Sequence, residues 1–209
     1  LSADENKKGG FSDQFLGQIR IVDAILLVIR CHQNENVSHP LNSIDPKRDL
    51  QLVQSEFILG DLSIIENRME RLQRQMRVRK TDADVKEFHL LEKFKAHLEE
   101  EKPLRQMPMA PDEELIVRGY QFLTQKPLLV VLNLAEGQRA PEIAYAHKHT
   151  QLVALQGRLE MDIAQLSPEE AELFLQEYGI EEPSLNKMIR LSYDLLGLQS
   201  FFTAGEDEC

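Results

Sequence analysis

The sequence predicts an α/β fold in which a parallel β-sheet is interrupted by a long antiparallel α-helical insertion. Two continuous apolar runs of strand length, AILLVIRC at 24–31 and PLLVVL at 127–132, fit strands that are buried on both faces, as in a parallel sheet. Between them lies a long stretch with the apolar spacing of a coiled coil. Helical and strand patterns then alternate, which is typical of crossover connections between parallel strands.

The part before the insertion contains one predicted helix and one predicted strand. Residues 1–14 are polar and include Gly9-Gly10, which predicts a loop. A short helix is predicted over 15–20, and the first strand over 24–31. A polar loop over 33–46 then leads into the insertion.

The insertion is predicted as two long helices that form an antiparallel hairpin. In the first helix, apolar residues recur with alternating spacings of four and three, which makes a heptad seam. The seam consists of Ile58, Leu62, Ile65, Met69, Leu72 and Met76. Thr81 can cap the second helix, whose apolar face runs from Val85 to Leu98, and Pro103 ends it because proline cannot continue a helix. The seam by itself predicts helix packing and no function.

After the insertion, the alternation of strands and helices resumes. Strands are predicted over 128–132 and 152–155, and helices over 112–123, 141–149, 167–178 and 183–196. The helix at Ser167 has agreeing start signals, with serine at the cap, proline at the first helical position and glutamate at the third. Gly179 and Gly197 stand where helix C-termini favour glycine.

Composition and charge narrow the classes of function. The 209 residues are 42% hydrophobic and 28% charged, which is ordinary for a globular protein. A net charge of -11 argues against a surface that wraps nucleic acid, and no DNA partner is expected. No apolar run approaches the roughly 20 residues of a membrane span, so no membrane partner is expected. The two cysteines, Cys31 and Cys209, fit a reducing, cytoplasmic setting.

The stretch Asn133-Leu-Ala-Glu136 directly follows the second apolar run. In GTPase-like folds, an asparagine at a strand end and an acid three residues later read a purine base. The asparagine amide offers an acceptor and donors, and the carboxylate accepts hydrogen bonds from a base edge. The usual guanine reader has Asn-Lys and then Asp, so the residues found here bear on which nucleotide is bound. The alternative is an ordinary turn after a buried strand, because asparagine suits turns.

A positive stripe is predicted at the far end of the first long helix. Its arginines recur every three residues, so they drift across one side of the helix: Arg68, Arg71, Arg74 and Arg77. The stripe could meet RNA phosphates. Equally, it could be a solvated face with Glu66 and Glu70 as ion-pair partners.

No metal site is predicted within this chain. The nearest approach to one is His147-x-His149, a loop pair that could bind zinc. It lacks a partner acid and a second ligand nearby in the sequence.

The order of several motifs resembles one protein family. Asp45-Pro-x-Arg-Asp49 opens the insertion, Asn133-Leu-Ala-Glu136 follows the second strand, and Phe201-Phe-Thr-x-Gly205 is followed by an acid. Together they resemble the YchF family, also called Obg-like ATPases, within the translation-factor-related P-loop NTPases. The resemblance covers almost the whole chain, and the sheet would be the C-terminal part of the family's nucleotide-binding sheet.

The resemblance implies a nucleotide-binding domain that is interrupted by a helical coiled-coil domain and followed by a small β-rich TGS domain. In this chain, residues 1–46 and 106–200 would belong to the nucleotide-binding domain, 47–105 to the coiled-coil insertion, and 201–209 to the start of a truncated TGS domain. The implied activity is hydrolysis of ATP or GTP with Mg²⁺ to the diphosphate and phosphate. The implied partners are the nucleotide and the ribosome or RNA.

The resemblance also assigns roles around the base. Asn133 and Glu136 match the family's base-reading pair, which tolerates or prefers adenine because adenine presents a donor amine where guanine presents O6. Leu134 should pack near the ring. In the loop after the third strand, Gln156-Gly157 stands where the family carries two small residues, so Gln156 departs from the pattern.

Two further positions are carried over. His32 stands where the family has an aromatic residue, and it could still stack on a base. Ras-like enzymes carry a water-positioning glutamine at a catalytic position where this family has a hydrophobic residue, and Leu1 falls in that register.

The sequence contains no Gly-x-x-x-x-Gly-Lys-Ser/Thr. That loop cradles the phosphates and helps to place Mg²⁺, so the Mg²⁺ ligands are not predicted here and the fragment alone is expected to be inactive. Whether the chain is an enzyme therefore stays open. The alternative is a non-catalytic module whose helical hairpin binds the ribosome, RNA or another protein.

Overall fold

The computed structural model describes residues 10–145, 147, 149–177 and 182–201. Its sheet has three parallel strands in the spatial order β1 (Ile25–Arg30), β2 (Leu128–Asn133) and β3 (Thr150–Leu155). The central strand β2 is buried along almost its whole length, as a continuous apolar run requires. The α/β fold with a parallel sheet is confirmed.

Seven α-helices lie in the described residues. They are α1 (Asp13–Arg20), α2 (Pro46–Val78), α3 (Asp82–Glu99), α4 (Pro111–Val117), α5 (Gly157–Ile163), α6 (Pro168–Glu177) and α7 (Ser184–Leu196). Short 3-10 turns lie between α3 and β2, at Leu104–Gln106, Arg118–Tyr120 and Leu123–Gln125. In chain order, the long helices α2 and α3 therefore separate two neighbouring strands of the sheet.

The two long helices begin at side-chain caps. The carboxylate of Asp45 accepts a hydrogen bond from the Arg48 N–H at 3.0 Å, and Pro46 opens α2. The hydroxyl of Thr81 accepts one from the Asp84 N–H at 3.2 Å at the start of α3. Each cap contributes about 1 kcal/mol to helix stability, so these sequence signals fix where the hairpin begins and turns.

The hairpin core follows the predicted seam. Ile65 and Leu72 of α2 are fully buried against Leu91 and Phe94 of α3. The ring of Phe94 also meets the ring of Phe122 edge-on, with 5.9 Å between centroids. Since Phe122 precedes β2, the base of the hairpin packs on the segment that leads back into the sheet.

Apolar side chains pack on both faces of the central strand β2. On one face, Val130 and Leu132 pack with Leu50 from the start of α2 and with Tyr145. On the other face, the strand residues are Leu129, Val131 and Val153, and the residues that α7 contributes are Met188, Leu191 and Leu195. This two-sided burial explains why the central strand β2 is apolar at successive positions rather than alternate ones.

The prediction that the first apolar run is buried on both faces is wrong, because Leu26 and Val28 of β1 are 50% and 56% exposed. They pair with Leu129 and Val131 in the edge position of the sheet, where α7 does not cover them.

A buried carboxylate joins three elements. Asp61 of α2 is fully buried and accepts a hydrogen bond from the Arg20 guanidinium of α1 at 2.7 Å. It also accepts the Leu123 N–H at 3.1 Å, and the Thr124 N–H and hydroxyl at 2.8 Å each. A buried charge with this many partners is fully satisfied, so it ties α1 and α2 to the turn before β2.

The helix predicted over 141–149 is wrong for the residues that the structure describes there. Residues 141–145, 147 and 149 are not helical. Ile143 and Tyr145 pack instead against the core of the sheet, and the Tyr145 hydroxyl donates a 2.7 Å hydrogen bond to Gln54 Oε1. These contacts with the core outweigh the local helical pattern.

Two other boundaries differ from the prediction. The helix predicted over 112–123 ends at Val117, and Gln121 takes a left-handed conformation with φ of 49°. Helix α5 has no counterpart among the predicted elements, and its cap residue Gln156 makes no capping side-chain hydrogen bond, so the usual start signal is missing. Leu1 and residues 202–209 lie outside the described residues. None of the helices in the described ranges is long and apolar enough to cross a membrane.

Candidate base-binding site

The predicted base-binding residues meet at one edge of the sheet. Arg30, Asn133 and Leu155 are partners in register at the carboxyl ends of the three parallel strands. The loops that follow them therefore leave the sheet side by side. This brings together residues that the chain separates, namely His32, the stretch 133–136 and Gln156-Gly157. In open α/β sheets, ligands bind in the crevice at this carboxyl edge.

The side chain of Asn133 is oriented by Gly157. The Gly157 N–H donates a 3.2 Å hydrogen bond to Asn133, and since a backbone N–H can only donate, the atom it meets is Oδ1. The Nδ2 group of Asn133 is left without a hydrogen-bond acceptor in the described part of the chain. A Cβ on residue 157 would lie 2.8 Å from Asn133 Oδ1, so the close approach needs a glycine. Asn133 thus presents a fixed donor at the sheet edge.

The neighbouring residues of the motif have different environments. Leu134 is only 6% exposed, belongs to the sheet core, and donates its N–H to the Leu155 carbonyl at 2.8 Å. Glu136 is exposed and forms no hydrogen bond or ion pair with another described residue. Leu134 therefore anchors the loop to the sheet core, while the Glu136 carboxylate is free to accept hydrogen bonds from a ligand.

Two glutamines brace the loop that carries Glu136. Gln138 Oε1 accepts the Ala135 N–H at 2.8 Å, and Gln138 Nε2 donates to the Cys31 carbonyl at 2.7 Å. Gln156 Oε1 accepts the Gly137 N–H at 3.3 Å. The Gln156 side chain therefore faces this loop. Sequence reasoning missed Gln138, because nothing in the local pattern separates it from an ordinary loop residue.

His32 and Arg30 shape the loop after β1. His32 Nδ1 lies 3.2 Å from the Asn133 carbonyl, and since a carbonyl only accepts, Nδ1 donates this hydrogen bond. The Arg30 guanidinium donates to the carbonyls of His32, Asn34 and Val37 at 2.8–3.3 Å. Arg30 is not among the predicted site residues, because a single arginine at a strand end gives no signal of three carbonyl partners.

Cys31 lies beside the candidate site, but its thiol is unreactive. It is 5% exposed, and burial together with the nearby Asp49 charge raises the pKa of its thiol to about 11. The thiol is therefore protonated near neutral pH, and only a thiolate acts as a nucleophile or metal ligand.

A cavity of about 630 Å³ lies elsewhere, between α1, β1 and the start of α2, and includes none of residues 133–138. His39 in its wall has both ring nitrogens engaged, because Nδ1 accepts the Leu41 N–H at 3.2 Å and Nε2 lies 3.0 Å from Asp49. With both nitrogens occupied, His39 cannot activate the neighbouring Ser38 as a nucleophile.

The predicted arginine stripe is divided by its ion pairs. Arg68 forms a two-pronged pair with Glu87 at 2.8 Å, and the Tyr120 hydroxyl donates to the same carboxylate. The hydrogen bond from Arg68 holds the pKa of Glu87 below its usual range, and burial is the main cause that raises the pKa of Tyr120 to about 12. Glu87 is therefore ionised and Tyr120 protonated near neutral pH, so the charge of Arg68 is matched within the protein.

The other three arginines of the stripe are exposed. Arg74 pairs with Glu70 at 3.2 Å across the solvated surface, an arrangement worth little. Arg71 and Arg77 have no ion-pair partner within the described ranges.

The histidine pair considered for zinc is not assembled as a metal site. His147 Nδ1 accepts a hydrogen bond from the Gln106 side-chain amide at 2.6 Å. Burial lowers the pKa of His147, so its ring is neutral near neutral pH. Across the described residues, no group of three or more histidine, cysteine, aspartate and glutamate residues could hold a metal ion.

The chain is similar to curated proteins named ribosome-binding ATPase YchF. It is 36% identical to the protein from Bacillus subtilis (97% of this chain and 58% of that relative) and 38% identical to the one from Haemophilus ducreyi (100% and 59%). The relative from Escherichia coli O157:H7 is 36% identical over 97% of this chain and 58% of its own length. The chain thus spans somewhat more than half the length of these relatives.

The fold is shared with the solved structure of the YchF GTPase of Schizosaccharomyces pombe. The match has a TM-score of 0.81 at 24% identity and covers 99% of this chain and 58% of that one. No model of a known protein family matches the chain.

Proposed function

Since the chain belongs to the YchF family, we propose that the protein is a ribosome-associated nucleotide hydrolase that binds ATP in preference to GTP. The reaction would convert a nucleoside triphosphate and water to the diphosphate and phosphate, with Mg²⁺ bound to the nucleotide. The relatives' names supply ribosome binding and ATPase activity as properties of those proteins. The observation that carries the base-binding part is the oriented amide of Asn133.

The Asn133 amide favours a purine ring at the carboxyl edge of the sheet. Because Oδ1 is held by the Gly157 N–H, Asn133 offers a ligand its free Nδ2 group, which is a donor and needs an acceptor on the ligand. The ring nitrogen N7 is such an acceptor in both adenine and guanine. Asn133 therefore binds a purine without choosing between the two bases.

The choice of adenine rests on the groups around Asn133. Guanine O6 needs a donor, and the nearby Gly157 N–H is already engaged by Asn133 Oδ1. Adenine presents an amine at that position, and the free carboxylate of Glu136 is an acceptor for it. Together these groups support ATP over GTP.

The residues of this chain act on the base and not on the phosphates. Mg²⁺ would neutralise charge on the phosphates when bound. No acidic cluster in the described ranges fits a metal ion, so no step at the γ-phosphate is assigned to these residues. Their contribution is to bind and orient the nucleoside, with Leu134 anchoring the loop from below.

The test is a titration of the complete protein with fluorescent ATP and GTP. We expect tighter binding of ATP, and we expect Asn133→Ala to weaken it about tenfold or more, as loss of a hydrogen bond in a fixed site would. Asn67→Ala is the matched control, because Asn67 lies on the exposed side of α2 and bonds only the Ser63 carbonyl. Absence of binding to both nucleotides, or unchanged binding in Asn133→Ala, would refute the proposal.

The ribosome contact is assigned to the exposed arginines near the end of α2. Arg71, Arg74 and Arg77 carry charge that the described residues leave largely unmatched, whereas Arg68 is held by Glu87. The remaining three positions lie beside the hairpin turn, where Arg79 and Lys80 add two further exposed cations. Such a patch on an otherwise acidic protein suits contact with RNA phosphates.

Charge reversal tests whether these arginines bind the ribosome or only form a solvated surface of the helix. The double variant Arg71→Glu/Arg74→Glu should weaken ribosome association. It should also reduce the slope of the logarithm of the binding constant against the logarithm of the salt concentration by about two, one for each phosphate that is no longer neutralised. Lys102→Glu/Arg118→Glu makes the same change of charge away from the tip and should have little effect. If both double variants bind ribosomes equally well in co-sedimentation, the patch does not bind the ribosome.

A further inference from the structure

The side chain of Gln138 links the loop that carries Glu136 to the end of β1. Its amide oxygen accepts the Ala135 N–H at 2.8 Å, one residue before Glu136, and its amide nitrogen donates to the Cys31 carbonyl at 2.7 Å. We propose that Gln138 is a positioning residue that places the Glu136 carboxylate against the 6-amino group of adenine, and so sets the preference for adenine. This inference rests on the proposed base-binding function.

The need for such a residue follows from the position of Glu136. The carboxylate is exposed and has no partner among the described residues that could hold it. Its placement therefore depends on the backbone of residues 135–137. A charged group that must meet one atom of a ligand binds more weakly if the loop under it has to be ordered on binding.

Gln138 orders that backbone from inside the turn. The Gln138 N–H donates to the Ala135 carbonyl at 3.1 Å, while the Gln138 side chain accepts the Ala135 N–H. Both polar groups of Ala135 are thereby engaged by one residue. Gly137, at φ of 69°, occupies the left-handed position that lets the chain turn back on itself.

The second bond of Gln138 determines where the ordered turn sits. Cys31 is 5% exposed and its N–H is bonded to the Asn133 carbonyl at 2.9 Å, so its carbonyl is a fixed point at the end of β1. The Gln138 bond therefore fixes the turn in position relative to the strand ends that carry Cys31 and Asn133. Gln156 adds a second link, at 3.3 Å to the Gly137 N–H, which is longer than either Gln138 bond.

Only a side-chain amide of this length meets both requirements. Glutamate would keep the acceptor for the Ala135 N–H but would bring a carboxylate against the Cys31 carbonyl, where a donor is needed. Methionine has a similar length and volume but makes neither hydrogen bond. These two substitutions remove the bridge in different ways while leaving Glu136 and Asn133 unchanged.

The experiment compares two ligands that differ only in the group that Glu136 is proposed to bind. One is ATP, and the other is the triphosphate of purine riboside, which is ATP without the 6-amino group. We expect the complete protein to bind ATP about tenfold more tightly than this analogue, the effect of one charge-assisted hydrogen bond. In Gln138→Met and Gln138→Glu, the ratio of the two affinities should fall towards one, mainly through weaker binding of ATP. Gln73→Met on the exposed side of α2 is the matched control.

A merely structural role would not change that ratio. If Gln138→Met weakens both ligands equally, or weakens neither, the positioning role is refuted. The Glu136→Ala variant provides a second comparison. By itself it should bring the ratio of the two affinities to about one, and adding Gln138→Met to it should leave that ratio unchanged.

The two claims fail differently. If Glu136→Ala leaves the ratio unchanged, the proposed contact with adenine is wrong. If Glu136→Ala abolishes the ratio but both Gln138 variants retain it, the contact with adenine stands and the positioning role is wrong.

Discussion

Replacing Asp61 with alanine is expected to lower the free energy of unfolding by about 3–5 kcal/mol, because it removes the shared partner of several buried donors. The Arg20 guanidinium would lose its carboxylate, and the Leu123 and Thr124 backbone N–H groups would lose their acceptors. A partly buried guanidinium without its carboxylate, and buried N–H donors without an acceptor, each carry a desolvation cost. Urea-induced unfolding followed by far-UV circular dichroism measures this change.

Two further variants serve as comparisons for Asp61→Ala. Asp61→Asn keeps one acceptor and the shape of the side chain, so its loss of stability should be smaller than that of the alanine variant. Asp162→Ala removes an exposed aspartate that has a single 3.4 Å pair with Arg158 on the helix surface, and it should change stability by less than about 0.5 kcal/mol. A loss of less than about 1 kcal/mol in Asp61→Ala would show that Asp61 does not join α1, α2 and the turn before β2.

Replacing Gly157 with alanine should weaken ATP binding about tenfold or more while leaving the fold intact. The new methyl group would lie 2.8 Å from Asn133 Oδ1, which is closer than atoms in contact allow. The end of the Asn133 side chain would turn away, so its amide would lose both the Gly157 hydrogen bond and its orientation towards the base. Titration with a fluorescent ATP analogue measures the effect.

The matched control for this variant is Gly119→Ala. A Cβ at Gly119 would meet nothing within 4 Å, so this variant should bind ATP as the unaltered protein does. Equal ATP affinity in Gly157→Ala and Gly119→Ala would mean that the contact between Gly157 and Asn133 does not orient a base-binding group.

Much of the fold could be read from local patterns. The apolar run that forms β2 is buried on both sides, and the seam through Ile65 and Leu72 lies at zero exposure in the hairpin. These patterns report burial directly, because a residue type that avoids water repeats with the period of its element. The segment around Tyr145 does not follow the same logic, since its conformation is set by contact with the sheet core and not by neighbours in sequence.

The candidate site can be predicted from the sequence where a side chain itself carries the proposed chemistry. Asn133 and Glu136 are candidates because an amide at a strand end, with an acid three residues later, fits the recognition of a base. Gln138 and Asp61 are not predicted, because their roles depend on partners 41 to 107 residues away. An aspartate within a helical heptad pattern is expected on the solvated side, and only the folded chain brings Arg20 and Thr124 to it.

Base recognition by Asn133 and Glu136 is tested most directly by a crystal structure of the complete protein with a non-hydrolysable ATP analogue. We expect the adenine ring at the carboxyl edge of the sheet, with Asn133 Nδ2 within about 3.2 Å of a ring nitrogen. We also expect the Glu136 carboxylate within hydrogen-bonding distance of the 6-amino group. An adenine bound at another surface, with the Asn133 amide facing no ligand atom, would show that these residues do not read the base.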